Sequence, residues 1–308
     1  MKSTATNQIE SAKNAKSIEL AYEFCKTITK THAKSFYFAA TFLKPHKRKP
    51  IYALYALCRL VDDEVDEAEI KSEFDVIVAI DKWKSLLSGI YGEFTNEIAK
   101  TEAQKFVSIA WQDLLKTNKI EQKLPLELMR GVLMDTHINR YATFSELYVY
   151  CYRVASTVGL MSSEIFGYDK PETLEYAEAL GIAMQLTNIL RDVKEDAEMN
   201  RIYLPKEDLQ RFNVTEKQIF DNEFNEDFAN LIKFQIERAR YYYREAEKGI
   251  PLLSKDARFT VLLAARIYSK ILIEIEKLGY NVFTKRAHTT KFQKIRVIPK
   301  TWREARKL

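Results

Sequence analysis

Apolar residues recur at helical spacing along almost the whole chain. Leu54, Cys58, Val61 and Val65 follow one another at steps of three or four, which predicts a helix that starts near Pro50. Eight Gly and seven Pro are few for 308 residues, so long helices are favoured over many short strands. Further helices are predicted over residues 103–116, 126–139, 145–166, 172–198, 227–249 and 257–278. No run has the length and alternation of a strand, and we predict one all-α domain.

The two ends of the chain differ from its middle. Residues 1–16 are rich in Ser, Lys, Asn and Ala and are predicted to be flexible. Residues 285–308 carry nine Lys or Arg and one Glu, which predicts a basic tail. No low-complexity linker or shift in composition divides the residues between these ends. The helical domain is therefore predicted to span residues 17–284.

Composition excludes several classes of protein. With 46% hydrophobic and 30% charged residues the chain can bury a large core, so it is not intrinsically disordered. No stretch of about 18 uninterrupted apolar residues predicts a membrane span, and the N-terminal region lacks an apolar signal core. The three cysteines and four histidines show no zinc or redox spacing. These features favour a cytoplasmic protein in a reducing compartment.

One apolar helix carries a line of polar side chains. Gln185, Asn188, Asp192 and Asp196 follow one another at steps of three, four and four residues. Positions three or four apart share a helix face, so these side chains form one stripe. The neighbouring residues are apolar nearly all round, and buried carboxylates are costly unless they are paired or bind a metal. We therefore predict that the stripe lines an internal cavity; a solvent-exposed polar face is the alternative.

A second acidic cluster has the same spacing. Asp62, Asp63 and Asp66 lie at the end of the apolar helix described first. Carboxylates on two such helices would supply the oxygen ligands that Mg²⁺ prefers, together with water and phosphate oxygens. A site of this kind would bind a diphosphate through metal ions and neutralise it as it leaves. Nearby arginines would add bidentate phosphate contacts, and the candidates are Arg59, Arg191 and Arg201.

Several longer stretches carry these residues. They are HAKSFYFA (32–39), YALCRLVDDEVDEA (55–68), MDTHINRY (134–141), YCYRVASTVGLM (150–161) and LGIAMQLTNILRDVKEDAEMNRIYLP (180–205), with AARIYSKIL (264–272) as a weaker match. In these stretches, and in their order, the chain resembles the squalene and phytoene synthase family, the head-to-head prenyl transferases. The resemblance implies an all-α isoprenoid-synthase helical bundle, a single domain around a deep central cavity.

The resemblance also implies which residues form the site. The two aspartate-rich motifs would hold Mg²⁺ on diphosphate, and their metal ligands would be Asp62, Asp63, Asp66, Asn188, Asp192 and Asp196. Positions close to the diphosphates are matched by Arg59, Arg191, Arg201 and Tyr203. A flap segment over the cleft is matched by Ser35 and Phe36, and the pocket lining by Tyr55, Tyr150, Gln185, Asn188 and Tyr268. The catalytic set implied in this way is Asp62, Asp66, Asp192, Asp196, Arg59, Arg191 and Tyr203.

The runs TVGLM and RDVKEDAEMNRIYLP are most similar to those of the phytoene-forming members. That similarity implies that two geranylgeranyl diphosphates are joined through prephytoene diphosphate to phytoene, with Mg²⁺ (or Mn²⁺) and without NADPH. Val193 stands where squalene synthases have an aromatic residue, and a charged tail stands in place of their membrane anchor. Two alternatives that use farnesyl diphosphate stay open. One is dehydrosqualene formation, and the other is formation of presqualene diphosphate or squalene.

Other classes of protein compete with this interpretation. A chain-elongating prenyl transferase or a terpene cyclase shares paired acidic motifs, although RDVKED and YCYRVAS argue against both. The basic residues 285–308 also fit a non-enzymatic helical protein that docks on membranes or nucleic acid. We expect instead an enzyme acting on prenyl diphosphates that contacts membranes peripherally, through charge and some apolar contact, and binds no nucleic acid. The sequence identifies no protein partner.

One position departs from the family's pattern. The family usually reads V-A-G-T-V-G where this chain has V-A-S-T-V-G, with Ser156 in place of the glycine. Its hydroxymethyl group is expected where a helix and the cavity lie close together. The departure leaves the chemistry as expected and the fine shape of the cavity open.

Overall fold

Helices form the architecture of the protein in the computed structural model, which describes residues 2–66, 73–92 and 99–308. For residues 2–13, 65 and 66 the description covers the backbone alone. Within these ranges no strand forms, and isolated bridges join Arg140 to Ile202 and Tyr168 to Leu253. The predicted all-α fold class is confirmed. Contacts divide the chain into two compact units, Met1–Leu126 and Glu127–Leu308.

The first unit is built around a helix with an apolar middle. Its helices are α1 (Lys2–His32), α2 (Lys34–Ala40), α3 (Pro45–Asp66), α4 (Glu73–Tyr91) and α5 (Glu102–Leu115). Leu54 and Leu57 of α3 are fully buried, as the helical spacing of apolar residues requires. The buried indole of Trp111 on α5 donates a hydrogen bond of 3.0 Å to the carbonyl oxygen of Ala53, which fixes α5 against α3.

The second unit is built around α9. It begins within α6 (Lys123–His137) and continues with α7 (Phe144–Cys151), α8 (Thr157–Phe166), α9 (Thr173–Arg191), α10 (Val193–Glu198), α11 (Lys206–Arg211), α12 (Glu216–Phe220), α13 (Glu226–Glu247), α14 (Lys255–Lys277) and α15 (Lys291–Ala305). α9 packs against α7, α8, α13 and α14. Ile182, Leu186 and Leu190 are buried in the resulting core. The first two residues of the polar stripe, Gln185 and Asn188, therefore lie on a helix that packs against four others.

A close helix crossing fixes the position of α9. Between α7 and α8 the chain forms a π-helical turn, Tyr152–Ser156. A Cβ atom at Gly181 of α9 would lie 2.4 Å from the Cα of Ser156, and one at Gly159 would lie 2.7 Å from the carbonyl oxygen of Ala177. No side chain larger than hydrogen fits at either position without a backbone shift. The two glycines thus let backbones meet directly and set the depth of the stripe that follows Gly181.

The predicted helix over 172–198 is interrupted at Asp192. This residue has φ −108° and ψ 16°, and it separates α9 from α10. Its N–H still donates to the carbonyl oxygen of Asn188 at 2.9 Å, and the N–H of Asp196 donates to the carbonyl oxygen of Asp192 at 2.8 Å. Because these bonds keep the four-residue step, the spacing of polar residues did not reveal the interruption. The prediction of one continuous helix was wrong at this residue.

Two other elements differ from the sequence predictions. α3 begins at Pro45, whereas the sequence predicted a start near Pro50. Pro50 lies in the second turn, where it lacks the N–H for one backbone hydrogen bond of the helix. The basic residues 285–308 include α15, a helix that charge patterning did not predict and that begins with a capping box between Thr290 and Gln293. The domain boundaries given above stay predictions. None of the described helices is long and apolar enough to cross a membrane.

Candidate active site

The first acidic motif ends α3 beside an arginine of the same helix. Arg59 bonds Asp62 at 3.3 Å and forms an ion pair with Asp63. Positions three and four residues on share its helix face, so one guanidinium meets both carboxylates. The Asp62 side chain is 47% exposed, which leaves it accessible to a ligand. Asp66 is the last residue of α3, and its side chain lies outside the described part of the chain.

Aromatic residues lie near this motif in the first unit. The rings of Phe36 on α2 and Tyr55 on α3 pack with their centroids 5.5 Å apart. Tyr55 precedes Arg59 by one helical turn, which places both residues on one face of α3. Ser35, the neighbour of Phe36 on α2, is half-buried. The structure thus brings Phe36, which is matched to the flap segment, into contact with Tyr55, which is matched to the pocket lining.

In the second unit, Asp192 is held between two arginines. Arg191 donates from Nε and Nη2 to the two carboxylate oxygens at 2.7 and 2.5 Å, and Arg286 donates from Nε at 2.7 Å. Burial alone would raise the pKa of the Asp192 carboxyl, but the bonds from both arginines outweigh it and hold that pKa below its ordinary value. Asp192 is 17% exposed and remains an anion that a cation can approach.

Asp196 lies in the opposite electrostatic situation. Burial, followed by the negative charges of Asp192 and Asp135, raises the pKa of Asp196 to about 8, although Arg201 acts against the shift. A second carboxylate one helical turn from Asp192 therefore holds a proton at neutral pH. A divalent cation bound to both carboxylates would lower the pKa of Asp196 again, because its charge favours the carboxylate form.

The raised pKa of Asp196 predicts a pH-dependent stability in the presence of a metal chelator. Between the ordinary pKa of 3.8 and about 8, the unfolded chain loses this proton and the folded protein keeps it. The folded state then binds more protons, so its stability should fall as pH rises through this window. Asp196→Asn should flatten the fall in melting temperature, measured with EDTA from acidic to alkaline pH.

A matched variant separates this effect from general alkaline destabilisation. Asp169→Asn changes an exposed aspartate of the same unit and should keep the wild-type pH slope. Adding Mg²⁺ at alkaline pH should raise the melting temperature of the wild type more than that of Asp196→Asn. Equal slopes for the wild type and Asp196→Asn would show that Asp196 titrates at its ordinary pKa.

The upper part of the polar stripe forms a hydrogen-bond chain. The Asn188 amide donates to Gln185 Oε1 at 3.2 Å, and the Tyr268 hydroxyl of α14 donates to Asn188 Oδ1 at 3.1 Å. All three side chains are half-buried. Tyr268 also lies close to Arg191. These contacts bring together four residues that the sequence assigned to one site and place them on one side of α9.

A cluster of tyrosines surrounds the Asp135 carboxylate of α6. Tyr203 donates its hydroxyl to Oδ1 at 2.7 Å, and Tyr150 donates to Oδ2 at 2.9 Å. The two rings stack with centroids 5.1 Å apart, and Tyr141 lies 5.9 Å from Tyr203. Burial and then the charge of Asp135 raise the pKa of both hydroxyl-bonded tyrosines, so Tyr150 and Tyr203 stay protonated. Arg201 Nη2 donates to the backbone carbonyl oxygen of Asp135 at 3.1 Å.

The loop after α10 brings these distant residues together. It runs beside the segment that follows α6, with the N–H of Ile202 donating to the carbonyl oxygen of Asn139 at 3.0 Å. Arg140 fixes the pairing by donating to the carbonyl oxygen of Asn200 at 2.7 Å and to Glu216 at 2.8 Å. Tyr203 therefore reaches Asp135 although 68 residues separate them.

The residues of the second motif fit a Mg²⁺ ion. Among the side chains that the structure describes, no cluster of three or more His, Cys, Asp or Glu forms a complete metal site. Mg²⁺ is typically bound through one or two carboxylates, with water and phosphate oxygens filling the other positions. Asp192 and Asp196, with Asn188 one helical turn before Asp192 and Gln185 before that, supply this partial donor set. Burial and then the charge of Asp192 raise the pKa of Asp196, and a cation between the two carboxylates would stabilise its charged form.

Sequence reasoning missed two residues of this site. Asp135 lies within the quoted stretch MDTHINRY, but nothing in a local pattern distinguishes it from a solvated aspartate. Arg286 belongs to the basic tail and lies 94 residues from the carboxylate that it bonds. The sequence shows Arg286 as one of the basic residues of the tail, but spacing along the chain does not reveal that it bonds Asp192.

Ser156 lies at the helix crossing. It is fully buried, and its hydroxyl donates to the carbonyl oxygen of Glu178 at 2.8 Å. The extra hydroxymethyl group thus adds a hydrogen bond between the π-helical turn and α9. Its polar atom is satisfied within the fold, which explains how this position accepts a serine.

The chain is similar in sequence to known proteins along most of its length. The sequence profile of a family described as Squalene/phytoene synthase matches residues 29–293. A 15-cis-phytoene synthase of Synechocystis sp. is 40% identical over 97% of this chain and 89% of its own length. A chloroplastic phytoene synthase 1 of Arabidopsis thaliana is 36% identical over 91% of this chain and 65% of its own length.

Solved structures share the fold. The crystal structure of a dehydrosqualene synthase in complex with ligand superposes with a TM-score of 0.85 and 27% identity, covering 96% of this chain and 100% of that one. A squalene synthase from Alicyclobacillus acidocaldarius superposes with a TM-score of 0.75 and 26% identity, covering 86% of this chain and 96% of that one.

Proposed function

This chain belongs to the squalene/phytoene synthase family, and from that premise we propose that it is a phytoene synthase. As a prenyl transferase it joins two geranylgeranyl diphosphates head to head through prephytoene diphosphate and releases phytoene and two diphosphates. The observation that carries the choice of product is the 40% identity to a 15-cis-phytoene synthase over nearly the whole chain. The arginine-flanked carboxylates of the second unit support the chemistry, because they suit a metal-bound diphosphate.

The first step breaks the C–O bond of one allylic diphosphate, and the electron pair leaves with the diphosphate. Arg191 and Arg201 would donate to its oxygens as negative charge develops. The allylic cation adds to the double bond of the second substrate, and loss of a proton closes the cyclopropane ring of prephytoene diphosphate. The residues Asp192, Asp196 and Asn188 would hold Mg²⁺, which supplies charge neutralisation at the leaving group.

The second step breaks the C–O bond of prephytoene diphosphate. The cyclopropylcarbinyl cation rearranges to the linear skeleton and loses a proton to give the central double bond of phytoene, so no hydride donor is needed. Water would quench either cation and must be excluded. The faces of Tyr150 and Tyr203 can stabilise a passing cation, and their hydroxyls are already bonded to Asp135.

Product analysis tests this proposal. The purified protein is incubated with Mg²⁺ and either geranylgeranyl or farnesyl diphosphate, with and without NADPH, and extracts are analysed by chromatography and mass spectrometry. We expect phytoene from geranylgeranyl diphosphate, independent of NADPH and abolished by EDTA. Squalene formed only with NADPH would contradict the proton-loss ending. Dehydrosqualene formed from farnesyl diphosphate, with no product from geranylgeranyl diphosphate, would contradict the proposed substrate but agree with the proposed mechanism.

The same assay separates other classes of enzyme. A chain-elongating prenyl transferase would require isopentenyl diphosphate, and a terpene cyclase would release a cyclic product from one substrate. Failure to bind any prenyl diphosphate, together with tight binding to anionic vesicles or nucleic acid, would favour a non-enzymatic basic protein.

We further propose a cytoplasmic protein that contacts membranes peripherally. Phytoene is a long hydrocarbon that does not diffuse through water, so its release into a bilayer is physically reasonable. The basic residues 285–308 support contact with anionic lipids.

A further inference from the structure

One face of α15 is fixed to the second unit. Val297 and Thr301, one turn apart, are buried, and α15 packs on α14. The Glu304 carboxylate pairs with Arg266 of α14 at 3.3 Å. At the other end of α15 the Gln293 amide donates to Glu274 of α14 at 2.8 Å. These contacts, at both ends and in the middle, hold the helix in one rotational setting.

The opposite face of α15 exposes large apolar side chains. Phe292, Ile295 and Trp302 are 71%, 57% and 47% exposed. With the exposed Pro299 they follow at steps of three, four and three residues, which places them on one stripe. Single exposed apolar residues are common on soluble proteins, but a contiguous stripe of aromatic and aliphatic residues marks an interaction surface.

Basic side chains flank this stripe. On a helix of 3.6 residues per turn, positions 296, 300 and 303 form a second line beside it, and position 307 follows the end of α15. The residues at these positions are all exposed and positively charged, namely Arg296, Lys300, Arg303 and Lys307. At the C-terminal end, the guanidinium of Arg306 lies 4.4 Å from the centroid of the Trp302 ring. An apolar stripe with aromatic residues and a Lys/Arg-rich flank is the pattern of helices that lie in a membrane interface.

We propose that the outward face of α15 is a docking surface for an anionic lipid bilayer. This surface would make the membrane contact proposed above, and its biological role rests on the proposed release of phytoene into a bilayer. The helix lies parallel to the membrane, with Phe292, Ile295 and Trp302 in the apolar boundary and the basic flank on lipid phosphates. A second copy of this chain is a less suitable partner, because the two basic flanks would repel each other. The positive charge of the flank favours an anionic bilayer instead.

Tryptophan fluorescence tests the surface directly. Trp83 and Trp111 are buried, so Trp302 is the tryptophan that a bilayer can reach. With vesicles of phosphatidylcholine and phosphatidylglycerol, we expect a blue shift and quenching by brominated acyl chains. Pure phosphatidylcholine vesicles should bind weakly, and added salt should release the protein. An unshifted spectrum with the anionic vesicles at low salt would overturn the proposal.

Variants locate the contact. Phe292→Ser and Trp302→Ser should each weaken vesicle co-sedimentation about tenfold or more, as the loss of one buried aromatic side chain predicts. Phe74→Ser removes a 72% exposed aromatic residue of α4 and should bind like the wild type. Equal weakening by Phe74→Ser, or none by the α15 variants, would place the contact elsewhere. A dimer that Trp302→Ser disrupts, without vesicle binding, would assign the face to a second copy.

Activity in detergent separates this surface from the enzyme itself. On detergent-solubilised geranylgeranyl diphosphate, Phe292→Ser and Trp302→Ser should form phytoene at the wild-type rate, because both residues lie on the face of α15 turned away from its unit. Vesicle binding without phytoene formation by any variant would refute the proposed function and leave the docking surface standing. Normal phytoene formation without vesicle binding would refute the docking surface and leave the proposed function standing.

Discussion

Asp192→Asn is expected to lower turnover about a thousandfold or more while leaving the helical fold intact. The change keeps the shape of the side chain and removes the charge that Arg191 and Arg286 now share. A neutral amide cannot hold a metal ion against a diphosphate as a carboxylate can. The measurement is the rate of phytoene formation at saturating Mg²⁺, with circular dichroism as the check on the fold.

Asp62→Asn should have an effect of the same size through the first motif. Its side chain is 47% exposed, so its loss removes little packing. The matched control is Asp81→Asn, an exposed aspartate of α4 that also pairs with a basic residue three positions away on its own helix, here Lys84. That variant should keep the wild-type rate.

A stricter control exists for Asp192. Asp208 is a buried carboxylate of the same unit that bonds Arg238, so Asp208→Asn also breaks an arginine–carboxylate pair. It should lower the melting temperature and keep the rate in the folded fraction. Near-normal rates for both Asp62→Asn and Asp192→Asn would refute a role of the two motifs in diphosphate departure. A rate loss for Asp208→Asn equal to that for Asp192→Asn would mean that stability, and not ligand binding, explains the effect.

Local periodicity determined how much of the fold could be predicted. The long helices α5, α13 and α14 lie within one or two residues of the predicted segments, because each buries an apolar stripe along its whole length. α15 escaped prediction because much of its apolar surface faces outward and Pro299 lies inside it. The interruption at Asp192 escaped because its backbone bonds keep the helical step. The spacing of apolar residues predicts which helix face is buried. It does not predict a helix or an interruption that depends on something other than burial.

The contacts of the candidate site also differ in how far the sequence could predict them. Contacts within one helix, such as Arg59 with Asp62 and Asp63, follow from spacing alone. Contacts that depend on the path of a loop do not, since Tyr203 meets Asp135 only where the chain after α10 pairs with the chain after α6. The resemblance to a family placed Tyr203 near the chemistry, and the physical reason for its orientation came from the structure.

That reason gives the last prediction, which concerns Asp135. Asp135→Asn should lower kcat about a hundredfold with little change in KM, because a small misplacement of catalytic groups has effects of this order. The carboxylate now accepts from both Tyr150 and Tyr203, whereas an amide offers one acceptor and one donor. One tyrosine hydroxyl must then accept from the amide instead of donating to a carboxylate, which weakens that bond and disturbs the orientation of its ring. Steady-state rates of phytoene formation give kcat and KM separately.

Two further measurements distinguish positioning by Asp135 from a general loss of structure. Asp113→Asn is the matched control, since Asp113 accepts the hydroxyl of Tyr22 at 3.0 Å in the first unit. Both variants should lower the unfolding free energy by about 1–3 kcal/mol, the cost of disturbing one buried hydrogen bond, but only Asp135→Asn should lower kcat. In a double-mutant cycle the effect of Asp135→Asn should shrink when Tyr203 is already phenylalanine, because the two residues act through one contact. Full additivity of the two losses in kcat, or a loss in Asp113→Asn as large as in Asp135→Asn, would show that the carboxylate does not act by orienting the tyrosine.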